Sequence, residues 1–189
     1  ELIKLKKIKW FFFSSTSHVY KFSQKKLNEK SRLKPSSLYG LTKLKAEKYI
    51  QKKLKKAKIP FCIGRIFSFT HKKQTADFVI PSIIKKAKSK KKIVHFENTE
   101  HYRDFLSTSD ICNAINILFK KKANGIYNIG SGKKILISDI IKLIFKKYKK
   151  IYKISKNNKS TWLIADINKI KKFKWKPKNN IISIVNELT

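Results

Sequence analysis

Tyr39 and Lys43 lie four residues apart in Ser36-Ser37-Leu38-Tyr39-Gly40-Leu41-Thr42-Lys43-Leu44-Lys45-Ala46-Glu47. On a helix that spacing puts a phenol and an ammonium on one face. A phenol ordinarily keeps its proton up to a pH of about 10. A fixed cation within reach favours the phenolate, and such a pair can give and take a proton near neutrality. Ser36 or Ser37, after Pro35, can cap the helix. The face continues through Ala46, Ile50, Leu54 and Ala57, the stripe with which a helix lies on a sheet. Spacing alone decides little, because Tyr49/Lys53 and Tyr152/Lys156 repeat it in this lysine-rich chain. The ordinary reading of each pair is a packed tyrosine beside a solvated lysine, so the surroundings must separate Tyr39 from the others.

Those surroundings read as a βαβ unit. Residues 8–13 form an apolar run suited to a buried parallel strand, which stops at Ser14-Ser15-Thr16-Ser17. Residues 21–35 are polar loop. The Tyr39 helix runs to about Lys58, Ile59-Pro60 breaks it, and 61–67 is a second apolar strand. Strand, helix, strand in this order predicts a parallel sheet. A polar loop over 68–77 precedes a helix with Pro81 in its first turn, running to about Lys90, and a short strand over 93–96. Thr108-Ser109-Asp110 starts a helix whose apolar face is Ile111, Ala114, Ile115 and Leu118 and which Gly125 ends. A strand over 126–129 closes on Gly130-Ser131-Gly132, and Ser138-Asp139 caps a helix to about Lys149. Residues 162–189 read as a short strand, a turn at Trp175-Lys176-Pro177 and a final helix; residues 1–7 read as the end of a helix.

The 189 residues carry 47 basic and 11 acidic side chains, a net charge of +36, which raises nucleic-acid binding as a first possibility. Arginine, the residue that reads bases and phosphates in a bidentate fork, occurs only as Arg32, Arg65 and Arg103. The lysines are spread along the whole chain beside much isoleucine and asparagine, a pattern of A/T-biased coding. No specific nucleic-acid partner is expected, only adhesion to polyanions at low salt. Hydrophobic content of 41% fits a folded domain. No uncharged apolar run is long enough for a membrane span, no secretory signal is visible, and a cytoplasmic location is expected. Cys62 and Cys112 each sit in an apolar run and read as reduced core residues. The histidines show no ligand spacing with them, so no metal site is expected.

Two local motifs fail on inspection. Gly130-Ser131-Gly132-Lys133 lacks the phosphate-loop glycine, since Tyr127 stands there, and the following hydroxyl residue, since Lys134 stands there. A dinucleotide fingerprint would need glycine at Ile135. Tyr102-Arg103-Asp104-Phe105 lacks the asparagine of a kinase catalytic loop, where Ser109 stands.

Phe12-Phe13-Ser14-Ser15-Thr16-Ser17-His18-Val19-Tyr20, followed by Tyr39-Gly40-Leu41-Thr42-Lys43 and Ala46-Glu47, resembles the extended short-chain dehydrogenase/reductase family in its sugar-nucleotide branch. Arg65-Ile66-Phe67-Ser68, Arg103-Asp104-Phe105 with Asp110, Tyr127-Asn128-Ile129-Gly130-Ser131-Gly132, and Asp166 with Lys169 and Trp175-Lys176-Pro177 continue the resemblance in the family's order. Gln74 to Pro81 is most similar to GDP-4-keto-6-deoxymannose reductases. Ser17-His18 stands where the 4,6-dehydratases carry Asp-Glu, which disfavours dehydration.

The resemblance implies an α/β fold, a partial Rossmann-type parallel sheet with helices on both faces and a small C-terminal α/β substrate-binding region. Residues 1–67 would be the C-terminal part of the dinucleotide-binding domain and 68–189 mainly the substrate region, with segments returning to the sheet. It implies Thr16, Tyr39 and Lys43 as catalytic residues, Ser14, Ser15, Tyr39 and Lys43 as contacts to NAD or NADP, and Thr16, Ser68 and Arg103 as contacts to a nucleotide-sugar substrate. Ser68 replaces the family's usual asparagine, Lys21 a usual glycine, and His71-Lys72 a common Gly-Pro. The implied reaction is C4 keto reduction; the alternatives are 4-epimerisation, a non-catalytic relative and a basic polyanion binder. A homodimer is expected for the full-length protein. No glycine-rich turn precedes Phe13, so the chain is expected to be N-terminally truncated and by itself to bind no dinucleotide, which a nicotinamide fluorescence titration reads directly.

Overall fold

Apolar residues alternate along two neighbouring strands and so dress both faces of one sheet. The computed structural model describes residues 8–155 and 160–189; the helix end expected over 1–7, and Lys156 of the third tyrosine–lysine pair, lie outside them. β1 (Phe11–Thr16), β2 (Phe61–Ile66) and β7 (Gly125–Ile129) form a parallel sheet in the order β1-β2-β7. The register runs from Phe11 opposite Phe61 to Thr16 opposite Ile66, and from Cys62 opposite Gly125 to Ile66 opposite Ile129. On one face Phe11, Phe13, Phe61 and Ile63 pack with Ile50 and Leu54 of α1 (Leu38–Lys56). On the other, Phe12 and Cys62 pack with Ile111, Ala114 and Leu118 of α3 (Thr108–Lys120). The parallel sheet with helices on both faces is therefore as expected.

A second core lies beyond the strand ends. It joins α2 (Val79–Ala87), β4 (Ile93–Phe96), α4 (Ile137–Lys147), β9 (Ile151–Ile154) and α6 (Ile181–Leu188) through Ile80, Ile83, Phe96, Ile141, Phe145 and Val185. Between the two cores run β3 (Ser68–Thr70), β5 (Tyr102–Arg103), β6 (Phe105–Ser107), β8 (Ile135–Leu136) and β10 (Trp162–Leu163), with α5 (Asn168–Lys171) near the C-terminus. β3 pairs with β6, β4 with β9, and β5 with both β8 and β10. No helix among the described residues is long and apolar enough to cross a membrane.

Several expectations shift. β1 continues through the hydroxyl residues rather than stopping at Phe13, because Ser14, Ser15 and Thr16 keep the ladder with Gly64, Arg65 and Ile66. The buried stripe of α1 is Gly40, Leu44, Glu47 and Leu54; Tyr39, Lys43 and Ala46 flank it rather than form it. Residues 68–70 are a strand rather than loop, and β9 and α5 are elements beyond those expected. Ser107, not Thr108, caps α3, and Ser138 lies inside the first turn of α4, whose N-cap is Leu136. α3 ends before Gly125, because Lys122 takes the left-handed turn at φ 45°. The amides of Lys122 and Ala123 return to the carbonyls of Phe119 and Leu118, the closure usually given to glycine. Cys112 is exposed rather than in the core. Cys62 is buried, and that burial pushes its thiol up to about 12.

Candidate active site

The β1 ladder fixes where Thr16 ends, and the cap of α1 fixes where Tyr39 begins. The Ser37 hydroxyl accepts from the amide of Gly40 at 3.2 Å, which satisfies a helix-start donor. Gly40 lies against the carbonyl of His18 so closely that any Cβ would collide with it. That contact seats the first turn of α1 on the end of β1. Lys43, one turn on, donates from Nζ to the carbonyl of Ser14 at 2.9 Å, and its ammonium stands 5.9 Å from the centre of the Tyr39 ring. Thr16 Oγ1 accepts from the amide of His18 at 3.3 Å, which leaves its own proton to donate.

These groups open onto a cleft of about 880 Å³, a volume suited to a ligand of several rings. Ser14, Ser15, Thr16, His18 and Tyr39 line one end; Ser68 and Arg103 line it farther along. The lining is also apolar, with Ile80 and Phe96 from the second core and the exposed Phe78 just before α2. Tyr39 keeps 55% of its surface open. The fold thus brings every residue expected at the site into one cleft except Lys43, which sits behind Tyr39 on the Ser14 carbonyl. Ser15 is present with a difference: its hydroxyl is already engaged, donating to the buried Glu47.

That inward bond belongs to a buried network that sequence reasoning did not single out. Glu47 sits at the centre, held at 2.7 Å by Arg65 in an ion pair with both side chains almost wholly buried. Arg65 Nη1 also donates to the Tyr20 hydroxyl, which donates to Asn128 Oδ1 at 2.7 Å. Burial pushes the Tyr20 phenol up to about 12, against the pull of Arg65, so it keeps the proton it donates. Asn128 Nδ2 then holds the carbonyls of Leu27 and Asp166. One chain of bonds therefore ties β1, α1, β2, β7 and the 21–35 loop together directly behind Thr16 and Tyr39. The available signal was the position of Glu47, seven residues after Gly40 and three after Leu44, on the buried stripe.

Asp104 explains why the Gly130-Ser131-Gly132 turn is not a phosphate loop. Its buried carboxylate accepts from the amides of Ser131, Gly132 and Ala165, filling the amide nest an anion would need. Burial raises Asp104 above the usual carboxylate range although these bonds oppose it. Asp110 accepts from the amides of Lys178 and Asn179, pinning the segment after Pro177 to the start of α3.

Arg103 is left without a carboxylate. Its Nη1 donates to the carbonyls of Tyr102 and Thr161, its Nη2 to the Thr161 hydroxyl, and it lies 5.6 Å from the Phe22 ring. Desolvation draws it down to about 10, so it remains a cation at neutral pH on the cleft wall. Among the described residues it has no ion-pair partner, the only such pair being Arg65–Glu47, and no group of acidic, histidine and cysteine side chains is placed to hold a metal.

Gly40→Ala is expected to separate the two halves of this end. The added methyl meets backbone, which cannot rotate away, so the first turn of α1 must lift. We expect any Tyr39-dependent turnover to fall at least tenfold, on the order of a 1 Å displacement of a reacting group. Circular dichroism should show the helix content unchanged.

Residues 1–188 match the family described as GDP-mannose 4,6 dehydratase. A Bacillus subtilis protein described as an uncharacterized UDP-glucose epimerase is 32% identical over 139 residues, which is 72% of this chain and 44% of that protein. A dTDP-D-glucose 4,6-dehydratase of Dictyostelium discoideum is 31% identical over 157 residues, 76% of this chain and 36% of its own length. The chain thus spans less than half of either relative. Among solved structures, the UDP-glucuronic acid 4-epimerase of Bacillus cereus in complex with UDP-glucuronic acid and NAD superposes with a TM-score of 0.86 at 26% identity, over 97% of this chain and 61% of that one. With the strand-end hydroxyls, the tyrosine–lysine pair and the parallel sheet in place, the chain belongs to the extended short-chain dehydrogenase/reductase family, in the group described by GDP-mannose 4,6 dehydratase.

Proposed function

We propose that this chain supplies the proton-handling and substrate-binding part of an NAD- or NADP-dependent oxidoreductase acting at C4 of a nucleotide-linked sugar, with keto reduction as its direction. The observation that carries the reading is the cleft itself, with the Thr16 hydroxyl and the Tyr39 phenol on its lining, the Lys43 ammonium seated on the Ser14 carbonyl beside them, and a desolvated arginine without an ion-pair partner on the same lining. Residues 1–67 are assigned to the dinucleotide-binding domain and 68–189 mainly to the substrate region, with β7 returned to the sheet.

The residues suit a nicotinamide nucleotide. Lys43 spends one of its three N–H donors on the Ser14 carbonyl and keeps the others for ribose hydroxyls, with Ser14 exposed beside it. When bound, the dinucleotide supplies or accepts the hydride. Tyr39 protonates the oxygen that becomes a hydroxyl, and Thr16, whose lone pair already holds the His18 amide, donates to the same oxygen. Arg103 pairs with the diphosphate, and the apolar wall excludes water from the sugar. Charge-assisted bonds of this kind contribute about 1.5–3 kcal/mol each. Arg103→Met is therefore expected to raise the KM for a nucleotide sugar roughly 10- to 100-fold with a smaller change in kcat. Arg103→Lys, which keeps charge but loses the fork, should fall between.

The deciding experiment uses the longest open reading frame containing this chain. It is given NADH or NADPH with nucleotide-linked 4-keto sugars, and NAD with the corresponding 4-hydroxy sugars. Consumption of one reduced dinucleotide per C4 alcohol formed supports reduction. Inversion at C4 without net consumption supports the 4-epimerase reading, which the epimerase descriptions of the Bacillus relatives favour. Absence of turnover on either series overturns both.

A further inference from the structure

Two threonines bordering the cleft carry hydroxyls with no protein partner among the described residues. Thr70 is 4% and Thr99 3% exposed, and Oγ1 of each is shut off from solvent without a hydrogen bond. Both residues line the cleft that Thr16 and Tyr39 open onto. A buried hydroxyl left unmet costs stability, so each one calls for an explanation. The same condition holds for the Tyr148 hydroxyl and Trp175 Nε1, but neither residue borders the cleft. The backbones of the two threonines are held in place. Thr70 ends β3 opposite Ser107 of β6, and its carbonyl accepts from the Thr108 hydroxyl at 3.5 Å. Thr99 follows Asn98, whose φ of 53° turns the chain after β4. Two residues on, the His101 carbonyl accepts from the amide of Ile137 at 3.1 Å.

We propose that Thr70 and Thr99 are specificity-determining residues, whose hydroxyls are met by neutral hydrogen-bonding groups of a bound nucleotide sugar. The inference rests on the reading of the cleft as a nucleotide-sugar site. A threonine hydroxyl both gives and takes a hydrogen bond, which matches a sugar hydroxyl or the amide edge of a base. Oγ1 and the methyl are branches of one carbon, so a turn about χ1 exchanges them in nearly the same space. That turn carries the hydroxyl to the cleft surface while the backbone stays where its neighbours hold it. The ligand then supplies the bond that the free protein lacks.

The consequence is rejection as well as binding. A ligand without the matching group leaves the hydroxyl unmet, so discrimination exceeds what the apolar lining of Ile80 and Phe96 achieves by shape. A threonine that served the fold alone would behave in the opposite way. Its hydroxyl would be bonded within the protein, and valine, of nearly the same shape, would cost stability. Where the hydroxyl is unmet, valine removes a burden from the free protein. The sign of the valine effect on the free protein therefore separates the two roles.

The test uses the longest open reading frame containing the chain, as wild type and as Thr70→Val, Thr99→Val, Thr70→Ser and Thr99→Ser. Two quantities are measured: the melting temperature without ligand, and Kd by titration calorimetry. The probes are UDP-, GDP- and ADP-glucose, which differ in the base, and UDP-linked 2-, 3- and 6-deoxyglucose, which each lack one sugar hydroxyl. Each valine variant is expected to melt no lower than the wild type and to bind the best probe roughly tenfold more weakly. The serine variants, which keep the hydroxyl, should stay within a few-fold of the wild type. In each valine variant the gap between the best probe and one analogue should close. A gap that closes in the base series assigns that hydroxyl to the base, and one that closes in the deoxy series assigns it to the sugar. The inference is overturned if the valine variants keep wild-type affinities, or if they melt lower and lose affinity for all probes alike. A wild type that binds no probe overturns it together with the reading of the cleft. Turnover at C4 on the same preparation reports on that reading alone.

Discussion

Glu47→Ala is expected to destabilise the protein by about 3–5 kcal/mol, the cost of leaving one member of a buried ion pair without its partner. Arg65 would keep its burial and lose the bonds to both Glu47 oxygens, and Ser15 would lose its acceptor. Burial works against the guanidinium's charge, and its bonds to Glu47 and Tyr20 presently more than offset this, holding Arg65 above its ordinary value. In a chain of this size such a loss corresponds to a fall in melting temperature of about 10 °C. Denaturant unfolding of Glu47→Ala, of Arg65→Met and of the Glu47→Leu/Arg65→Met double variant separates the ion pair from mere packing. Each single change should be costly, and the double change should recover most of the loss, because two apolar side chains leave no charge stranded. A double variant as unstable as the sum of the singles would mean that the pair is not coupled as its geometry requires.

The same network marks where sequence reading stops. The strand, helix and strand around Tyr39 were legible because apolar runs and a Pro break are local signals. So was α2, from Pro81. The strand over Ser68–Thr70 was not, since three residues reading Ser-Phe-Thr carry no period, and only pairing with Phe105–Ser107 makes them a ladder. The helix end at Lys122 departs from the expectation, which rested on Gly125, because the backbone closes locally onto Phe119 and Leu118 with lysine in the left-handed region. Thr16, Tyr39, Ser68 and Arg103 were named from a resemblance, and their convergence on one cleft is a property of the fold. Ser15 was named for the cofactor, yet its hydroxyl faces Glu47. A carboxylate reads as solvent-facing in so basic a chain until Arg65, eighteen residues away, is seen beneath it.

Tyr39→Phe is expected to lower turnover by about 10²–10⁴-fold, the usual contribution of a positioned acid or base, while leaving nucleotide-sugar affinity within a few-fold. The phenyl ring keeps the edge contact with His18 and the ammonium of Lys43 beside it, so the lost atom is the one that carries the proton. A thousandfold loss equals about 4 kcal/mol of barrier, more than a bound water is expected to restore in a site walled by Phe78, Ile80 and Phe96. The control lies within the same helix. Tyr49 and Lys53 share the four-residue spacing and nearly the same geometry, with the Lys53 ammonium 5.5 Å from the ring centre. Tyr49 is exposed and borders none of the cleft. Tyr49→Phe should therefore leave kcat and KM unchanged. Equal losses in the two variants would mean that the hydroxyl at position 39 has no special place. A loss confined to Tyr39→Phe would locate the chemistry not in the tyrosine–lysine spacing but in what Gly40, Ser14 and Thr16 do to one instance of it.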